Sequence, residues 1–430
     1  MRSVFVVALA AAVAITGCGP EPVNPKRQIG PHPYLPKIHQ YLLPPMHLAE
    51  KEPWGNTKPT VPKGLKVQLF AKDLKNPRSV YVLPNGDVLV VEPEGPTAPP
   101  PARPKEFVMN WMEQKTHSST KAPDQILLFR DANGDGVPEF HTLFLDHLRA
   151  PFGVVLVGND LYVANTDAIY RFPYRTGQTR ITVPGVKLCD LPAFPIDHHW
   201  TKSLTASPDG TKLYAGVGSN SNITENGLSA ETGRASVWEI DRATGAHHEY
   251  ATGLRNPNGL QFEPHTNVLW VVVNERDEIG PDLVPDYLTS VKKGAFYGWP
   301  YSYWGQHVDP RVKPERPDLV AKAIPPDYAL SSHVAPLGLV FYNATNLPAH
   351  YHGGAFIGEH GSWDRDVFNG YKVVYVPFAH GRPSGMAEDV VTGFLDGDKM
   401  RGRPVGLAID SHGGLLIADD VGNAVWRVTR

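Results

Sequence analysis

The sequence has almost no cysteine: its 430 residues include only Cys18 and Cys189. If Cys18 is lipidated, as argued below, no intrachain disulfide is possible, and we interpret Cys189 as a buried thiol rather than a nucleophile. A large excess of charge is also lacking: the formal net charge of −3 gives no reason to predict nucleic-acid binding. The hydrophobic content of 41% indicates instead a globular protein with a hydrophobic core.

The N-terminus has the features of an export signal. Arg2 supplies a positive charge, and the apolar run over residues 4–15 is too short to span a bilayer. The "ITGC" that follows resembles a bacterial lipobox, in which Cys18 is lipidated and becomes the mature N-terminus; an ordinary secretory peptide is the alternative. We predict a lipoprotein signal peptide over 1–18, a proline-rich tether over 19–62, and anchoring to the bacterial cell envelope on its periplasmic side or at the cell surface.

Glycine and proline are abundant, with 40 and 42 residues, which indicates a turn-rich β fold rather than a helical one. One motif recurs along the chain, as in "NPRSVYVLPNGDVLVVE": a turn, a short apolar strand, a polar hairpin turn and a second apolar strand. The six units begin at Asn76, Ala150, Lys202, Asn256, Ala335 and Gly402.

These six hairpin units, each followed by room for two more strands, predict an all-β, six-bladed β-propeller over 63–430. "AIYRFPYR" and "ASVWEIDRATG" are candidate outer strands. A β-sandwich with chance hairpins is the alternative, and the six recurrences disfavour it. The proline-rich stretch 93–107 and the stretch 275–326 are predicted blade insertions.

In such a fold the innermost strands surround a central channel, so the residues just ahead of each unit should converge at its mouth. Most of these residues are cationic or can donate hydrogen bonds, which predicts a basic funnel for an anionic ligand such as a planar polycarboxylate. For any single arginine the alternative is a salt bridge at the rim. The set comprises Arg78, Arg149, His198, His199, Lys202, Arg255, Asn256, His333, Arg401 and Arg403.

A histidine among these cations should have a lowered pKa and be neutral near pH 7, which suits a general base. His199 is the preferred candidate because it lies five residues before Leu204, the first apolar residue of its strand. His198 should point the other way if this stretch is extended.

Several motifs resemble the glucose/sorbosone dehydrogenase family, from about Gly64 to the C-terminus. They are "HHWTKSLTASPDGTKLYAGVGSNSN", "GLRNPNGLQFEP", "NERDEIGPDL", "YGWPYSYWG" and "GRPVGLAIDSHGGLLIADD". The resemblance is strongest to the L-sorbosone dehydrogenase-like branch. It implies a six-bladed propeller that uses pyrroloquinoline quinone (PQQ) and calcium.

The resemblance also implies roles for individual residues. His199 would be the base that removes the hydroxyl proton, and Arg255 would polarise the quinone oxygen, with Asn256 and Asn258 beside it. The cofactor carboxylates would pair with Arg401 and Arg403. Lys202 is a further expected cofactor contact because of its place in the predicted funnel, and not because of the resemblance.

The chain departs from the family pattern at several positions. Lys202 and Ser203 replace a Gly-Arg pair, Ser219 replaces the acidic partner of the base, and "APFG" replaces a glutamine-bearing loop. The lysine of the fifth blade is missing, and Arg365 or His360 is the candidate to take its place.

Two acidic stretches are candidate calcium sites. "NERDEIGPD", with Asp277 and Glu278, lies where the resemblance implies the calcium loop of the cofactor. "DANGDGVPE" matches the first half of an EF-type loop, but Thr142 stands at its twelfth position; the alternative is a polar hairpin. The oxygen ligands offered by the second stretch are Asp131, Asn133, Asp135 and Glu139.

The leading hypothesis is a PQQ-dependent dehydrogenase that oxidises an aldose or a sugar-derived, sorbosone-like aldehyde. Its electrons would pass to a respiratory acceptor, either a cytochrome or a quinone. A calcium-dependent hydrolase of the lactonase type and a non-catalytic, envelope-tethered binding propeller are the alternatives.

Overall fold

The structure is a computed structural model that describes residues 23–40, 47–97, 121–194 and 198–430. The predicted signal peptide with Cys18 lies outside these residues, and so does residue range 98–107 of the predicted proline-rich insertion. Among the described helices, none is long and apolar enough to cross a membrane.

The segment predicted as a tether contacts the rest of the chain at several described positions. It contains the strands β1 (Ile29–Gly30) and β2 (Glu50–Lys51), and β1 pairs with a strand of the main domain. Gln28 is fully buried, while Ala49 and Trp54 belong to a hydrophobic cluster. This difference from an extended tether has a simple cause: the stretch contains apolar side chains that are stabilised by burial.

The rest of the described chain contains six antiparallel sheets of four main strands each, and in the first three each strand pairs with the next along the chain. The first sheet consists of β4 (Ser79–Val82), β5 (Val88–Glu92), β6 (Gln125–Arg130) and β7 (Phe140–Leu145). The second consists of β8 (Gly153–Val157), β9 (Asp160–Ala164), β10 (Ala168–Pro173) and β11 (Val186–Asp190). The third consists of β12 (Leu204–Ala206), β13 (Lys212–Val217), β14 (Ser236–Asp241) and β15 (His247–Thr252).

The remaining sheets also take in strands from the N-terminal part of the chain. The fourth consists of β16 (Asn256–Phe262), β17 (Leu269–Asn274), β18 (Pro285–Ser290) and β21 (Tyr328–Ser332), with β1 at its edge. The fifth consists of β22 (Pro336–Phe341), β23 (Ala355–Glu359), β24 (Lys372–Val376) and β27 (Glu388–Val391). The sixth consists of β30 (Pro404–Ile409), β31 (Leu415–Asp419), β32 (Ala424–Thr429) and β3 (Lys66–Ala71).

Short elements complete the described chain. Two-residue strands are β19 (Ser302–Tyr303), β20 (His307–Val308), β25 (Phe378–Ala379), β26 (Arg382–Pro383), β28 (Leu395–Asp396) and β29 (Lys399–Met400). The helices are α1 (Pro317–Val320) and the 3-10 turns Pro25–Gln28, Leu228–Glu231 and Ala349–Tyr351.

The prediction of an all-β fold is confirmed, and all six predicted hairpins are antiparallel strand pairs. The two predicted outer strands correspond to β10 and β14. The predicted insertion over 275–326 is wrong in part, because β18 within it is a regular strand of the fourth sheet. All six residues of β18 are buried, so the strand shows no alternation of polar and apolar residues to reveal it.

Successive sheets face one another across hydrophobic clusters. Val91 and Ile126 of the first sheet pack with Val154 of the second, and Val80 of the first packs with Leu416 of the sixth. The first strands of neighbouring sheets are also in contact, from β4 to β8 and onward to β30, which contacts β4 again.

Glycines in the first strands permit this close approach. A Cβ atom on Gly153 of β8 would lie 2.5 Å from the backbone nitrogen of Leu204, in β12. A Cβ atom on Gly406 of β30 would lie 2.8 Å from the Cα atom of Ser79, in β4. The recurring "PFG", "PNG", "PLG" and "PVG" therefore have a packing function: only glycine lets neighbouring backbones come this near.

Candidate active site

The loops that enter the first strands and those that leave the second strands meet at the same end of the sheets. Two groups of ionisable side chains lie there. We call the first the His333 cluster; it comprises His199, Arg255, Asp277, His333 and Asp364. We call the second the Asp420 cluster; it comprises Arg78, His360, Arg403 and Asp420.

Arg255 is buried, with 4% of its surface exposed, and its donors face protein oxygens. Nε lies 3.2 Å from the Asn222 carbonyl, and Nη2 lies 3.0 Å from both Asn222 Oδ1 and Asp277 Oδ2. Nη1 faces the carbonyls of Glu275, at 2.5 Å, and Asn274, at 3.5 Å. A guanidinium has five N–H donors. Arg255 therefore acts through its charge and by holding Asp277, with no N–H left for a ligand.

The ring of His199 is held in one tautomer. Its Nδ1 lies 2.9 Å from both the carbonyl oxygen and the hydroxyl oxygen of Ser219. The Ser219 hydroxyl donates its hydrogen to the Ser221 carbonyl at 2.6 Å, so both of these oxygens act as acceptors and Nδ1 carries the proton. Within the described chain Nε2 has no hydrogen-bond partner, which leaves its lone pair available when the ring is neutral.

The charge state of His199 suits a base. Burial lowers the pKa of His199 well below 6.5, and the neighbouring Arg255 lowers it further. The imidazole is therefore neutral at physiological pH. Ser219, which replaces the acidic partner of the family pattern, orients the ring without adding a negative charge that would raise the pKa.

His333 lies between two carboxylates. Its Nδ1 is 3.4 Å from Asp277 Oδ1 and 3.3 Å from Asp364 Oδ1, while Nε2 is 3.2 Å from the Gly280 carbonyl. Burial lowers the pKa of His333, but Asp364 and Asp277 outweigh it and raise the pKa to about 9. Burial raises the pKa of Asp364 to about 7, and burial likewise raises that of the neighbouring Asp286 to about 7.

The predicted asparagines are buried beside these groups. Asn258 Oδ1 accepts hydrogen bonds from the hydroxyl groups of Thr201, at 3.1 Å, and Ser203, at 3.4 Å. Asn256 is 6% exposed, and its Oδ1 has no hydrogen-bond partner. Lys202 is fully buried and donates from Nζ to the Trp200 carbonyl at 3.0 Å, so it supports the loop that carries His199.

The Asp420 cluster has the opposite balance of charge. Arg78 Nη1 lies 2.6 Å from Asp420 Oδ2, and His360 Nε2 lies 2.9 Å from the same oxygen. Arg403 donates from Nε to the His360 carbonyl at 2.8 Å and from Nη2 to the Gly361 carbonyl at 2.5 Å. Burial and Arg403 lower the pKa of His360 to about 3, so two arginines face one carboxylate and a neutral histidine.

This cluster has spare donors. Arg78 Nε is buried without a hydrogen-bond partner, and the Arg78 guanidinium lies 5.7 Å from the centroid of the Trp200 ring. In the described chain, Arg78 Nη2 and Arg403 Nη1 also lack hydrogen-bond partners. An anionic group is the ligand that such donors accept.

Some predicted members of the basic funnel are engaged elsewhere. Arg401 forms ion pairs with Glu52 at 2.9 Å and Asp396 at 3.3 Å, so the structure brings Arg403 but not Arg401 into the Asp420 cluster. Arg149 pairs with Asp167 and its side chain is 58% exposed. For Arg149 and Arg401 the structure therefore shows the alternative stated above, a salt bridge at the rim rather than a place in the funnel.

Of the other predicted site residues, some lie in one of the two clusters and some do not. His198 is exposed. Of the two candidates for the missing lysine, His360 lies in the Asp420 cluster. Arg365 is buried and pairs with Asp282 at 2.7 Å. Of the two acids in "NERDEIGPD", Asp277 lies in the His333 cluster, whereas Glu278 does not belong to its group of potential metal ligands.

The loop "DANGDGVPE" forms a compact polar turn. Asp131 accepts hydrogen bonds from the backbone N–H groups of Gly134 and Gly136, and Glu139 accepts from Ala132. Asn133 Oδ1 accepts from the Asp135 backbone at 2.8 Å. The carboxylates of Asp131, Asp135 and Glu139 lie close enough to share a cation. They are partly or fully exposed, so both the calcium interpretation and the polar-hairpin interpretation fit this geometry.

Asp364 and Asp420 did not emerge from the sequence. Each follows the second strand of a hairpin unit: Asp364 comes after β23, and Asp420 comes directly after β31. In an antiparallel hairpin the end of the second strand lies beside the start of the first. The stretch directly after the second strand of a unit is therefore the sequence signal that could have found Asp364 and Asp420. Ser219 and Asp277 lie in the same stretch of their own units.

The chain matches two family models. Residues 162–362 match the family described as glucose/sorbosone dehydrogenase, and residues 314–430 match the TrAA12-like family. The first match confirms the resemblance that the sequence motifs predict, and it supports the class of quinoprotein sugar dehydrogenases. It does not single out the sorbosone branch.

Individual relatives agree with this class. The aldose sugar dehydrogenase YliI of Escherichia coli is 33% identical over 109 residues, which cover 25% of this chain and 28% of that protein. The PQQ domain of pyranose dehydrogenase from Coprinopsis cinerea, in its holo form, has a TM-score of 0.67 at 19% identity, over 87% of this chain and 97% of that one. A calcium structure of the family AA12 enzyme of Trichoderma reesei has a TM-score of 0.69 at 19% identity, and the likeness covers 90% of this chain and 99% of that one. The two structural likenesses establish a shared fold.

Proposed function

We propose that the protein is a PQQ-dependent dehydrogenase that oxidises an aldose or a sugar-derived aldehyde, with His199 as its general base. The observation that carries the proposal is the fixed tautomer of a neutral His199 at the mouth formed by the two clusters. Support also comes from the glucose/sorbosone dehydrogenase match and from the fold shared with the pyranose dehydrogenase PQQ domain.

We further propose that the six sheets are the blades of a six-bladed propeller. The first strand of each sheet contacts the first strand of the next, and the series returns from β30 to β4. The hydrophobic cluster between the sixth and first sheets supports the same arrangement. The mouth of the proposed channel is then the place where the His333 and Asp420 clusters lie.

The residues present fit an anionic quinone. N–H groups of Arg78 and Arg403 that have no partner in the described chain would hold its carboxylates, because guanidinium groups bind carboxylates well. Arg78 Nε in particular is buried without a hydrogen-bond partner. Asn256 Oδ1 is also unpartnered, and as an acceptor it would face a hydrogen-bond donor rather than the carboxylates. The bound quinone would supply the hydride acceptor.

His199 would remove the proton from the substrate hydroxyl through Nε2. Ser219 holds the opposite side of the ring, so the lone pair of Nε2 keeps one direction. Arg255 keeps the ring neutral and ready to accept a proton, and it fixes the neighbouring Asp277 carboxylate. General-base assistance of this kind contributes roughly 10²–10⁴-fold to the rate.

Reconstitution tests the proposal directly. Purified protein is loaded with PQQ and calcium and offered a panel of aldoses and sugar aldehydes, and reduction of an artificial dye is followed. We expect turnover with at least one member of the panel. Quinone binding without turnover on any sugar, or lactone hydrolysis without quinone, would overturn the proposal.

Variants of the histidine pair sharpen this test. We expect His199→Ala to lower kcat by roughly 10²–10⁴-fold while the Kd for PQQ stays within a few-fold of the wild type, because the base does not hold the carboxylates. His198→Ala, which removes the exposed neighbouring ring, is the matched control and should keep most of the activity. Loss of quinone binding in His199→Ala would contradict the assigned role.

The location of the protein is also a proposal. The lipobox-like "ITGC" supports lipid anchoring through Cys18 at the bacterial envelope. Electrons would then pass to a respiratory acceptor in or near the membrane. Growth with labelled palmitate, followed by a comparison with Cys18→Ala, tests the anchor.

A further inference from the structure

Residues 50–54, which the sequence predicts as part of a tether, run beside the loop that carries Arg403. The strand β2 pairs in parallel with β29, and Lys51 is the register partner of Met400. The backbone N–H of Glu52 donates to the Met400 carbonyl at 2.9 Å. A stretch from near the N-terminus therefore lies next to the Asp420 cluster, which is built from the other end of the chain.

Two side chains of the same stretch fix its position. Trp54 Nε1 donates to Asp419 Oδ2 at 2.8 Å, and Asp419 Oδ1 accepts the backbone N–H of Arg403 at 2.8 Å. Trp54 and Asp419 are both buried. Glu52 pairs with Arg401 at 2.9 Å. The position of β2 relative to Arg403 is therefore set by direct contacts.

Lys51 brings a further positive charge to this place. The residue is exposed, and among the described residues its ammonium group has no hydrogen-bond or ion-pair partner. Asp420 and Arg403 nevertheless lie near enough for their charges to act on it. Partial removal from water lowers the pKa of Lys51, Asp420 raises that pKa and Arg403 lowers it. The ammonium group therefore lies beside the cluster with its three N–H donors available.

The balance of charge around Asp420 favours an anionic ligand. The cations are Lys51, Arg78 and Arg403. Asp420 faces them as a carboxylate, whereas burial raises the pKa of Asp419 to about 7, so that Asp419 is only partly ionised near neutral pH. Like charges that lie this close repel one another, and a bound carboxylate group would offset the repulsion.

We propose that Lys51 is a ligand-binding residue of the Asp420 cluster and contacts the anionic group that Arg78 and Arg403 hold. An ammonium group on a flexible side chain can reach an oxygen of that group while the two guanidinium groups bind it from the buried side. The inference rests on the proposed function, because the anion would be a carboxylate of the quinone. It makes a stretch predicted as a tether part of the binding site.

Quinone binding tests the proposal without an activity assay. The Kd of the purified full chain for PQQ is measured by equilibrium dialysis at low ionic strength. We expect Lys51→Gln, which removes the charge and keeps most of the side-chain length, to weaken binding by about tenfold, as the loss of one charge-assisted hydrogen bond would. Lys51→Arg keeps the charge and should bind PQQ nearly as well as the wild type. An unchanged Kd in Lys51→Gln would overturn the proposal.

Lys399→Gln is the matched control. Lys399 lies on the partner strand β29, but it forms an ion pair with Glu50 at the surface. This variant changes the net charge by the same amount as Lys51→Gln, and we expect the Kd for PQQ to stay at the wild-type value. Equal losses in both variants would show that PQQ responds only to the net charge of this surface, and the contact with Lys51 would be rejected.

Chemical modification tests the contact directly. Because Lys51 is exposed, a water-soluble acylating reagent should modify it in the quinone-free protein, and peptide mass spectrometry measures the extent. We expect saturating PQQ to protect Lys51, while Lys399 reacts at the same rate with and without the quinone. Equal rates at Lys51 in both conditions would overturn the proposal.

These outcomes are separable from the proposed function. PQQ binding that weakens in Lys51→Gln, in a protein without turnover on any sugar, would sustain the contact and reject the dehydrogenase. Turnover with PQQ that wild type and Lys51→Gln bind equally would do the reverse. A wild-type chain that binds no quinone would overturn both.

Discussion

The two ends of the sheets use charged residues in different ways. At the hairpin-turn end, carboxylates bond to the backbone of their own turn, as Asp131 does with Gly134 and Gly136, or to an arginine of the same sheet, as Asp87 does with Arg130. At the other end the partners are distant in sequence. Arg78 pairs with Asp420 across 342 residues, and His333 contacts Asp277 and Asp364 from other loops.

This difference separates structural charges from functional ones. A carboxylate such as Asp131, which closes its own turn, is satisfied by neighbouring backbone N–H groups and is partly exposed. A carboxylate in a cluster that joins several loops lies beside other charges and is wholly or mostly removed from water, and its pKa shifts: burial raises that of Asp277 but neighbouring Arg255 and His333 outweigh it and lower that pKa, and burial raises that of Asp364. Perturbed groups of this kind concentrate at functional sites.

The largest expected effect is the loss of the Arg255 side chain. Arg255→Ala would leave the partly buried Asp277 without its nearest cation, and we expect it to lower the free energy of unfolding by about 3 kcal/mol, the lower end for a buried pair. Arg149→Ala is the matched control: its pair with Asp167 is exposed and should be worth about 0–1 kcal/mol. Urea denaturation measures both, and similar losses would break the distinction between the two kinds of charge.

The sequence could predict the hairpins because their signals are local. Turn residues at Asn85 and Gly86, followed by apolar residues, define a strand pair without knowledge of the rest of the chain. It also predicted that His199, Arg255 and Arg403 would lie at one end of the sheets, because the same end of each unit carried them. It could not predict that Arg401, two residues from Arg403, would turn to Glu52, since that contact depends on the position of β2.

The partners of the predicted cations were also out of reach. Asp277 was selected as a metal ligand, yet its contacts with Arg255 and His333 depend on how three loops pack. Nothing in the local sequence indicates that Ser219 would hold His199 through its carbonyl as well as its hydroxyl. Contacts between distant loops become visible only in the folded chain.

A smaller effect is expected where the first strands touch. Gly153→Ala would place a Cβ atom 2.5 Å from the Leu204 backbone and should cost about 1–3 kcal/mol through forced movement of β8 and β12. Gly158→Asn, in the turn that follows the same strand, is the control: no atom lies within 4 Å of the added Cβ, and asparagine tolerates a positive φ. Thermal unfolding that ranks Gly158→Asn as the more damaging change would contradict the close approach.

At the hairpin-turn end, Asp131→Ala should cost only about 1 kcal/mol. It removes two hydrogen bonds to the backbone of a partly exposed turn, where water can replace them. The measurement is again urea denaturation, and the dehydrogenase activity of quinone-loaded protein should not change. A loss of activity would show that the two ends of the sheets are coupled.

The pH dependence of turnover tests the protonation state of His199 without a mutation. The folded-state pKa of His199 lies well below 6.5, so the ring stays neutral as the pH falls through 6.5 and is protonated only further down. The acidic limb of kcat/KM should therefore lie below pH 6.5. A limb at or above that value would mean that burial and Arg255 do not control the base.

The smallest expected effect concerns Ser219. Ser219→Ala removes the hydroxyl contact of His199 Nδ1, but the carbonyl of the same residue still accepts the Nδ1 proton at 2.9 Å. The tautomer is therefore kept, and we expect kcat to fall by less than about tenfold, since one neutral hydrogen bond contributes about 1 kcal/mol. The acidic limb of kcat/KM should stay below pH 6.5, because burial and Arg255 are unchanged. A loss approaching that of His199→Ala would show that the hydroxyl, and not the backbone, orients the base.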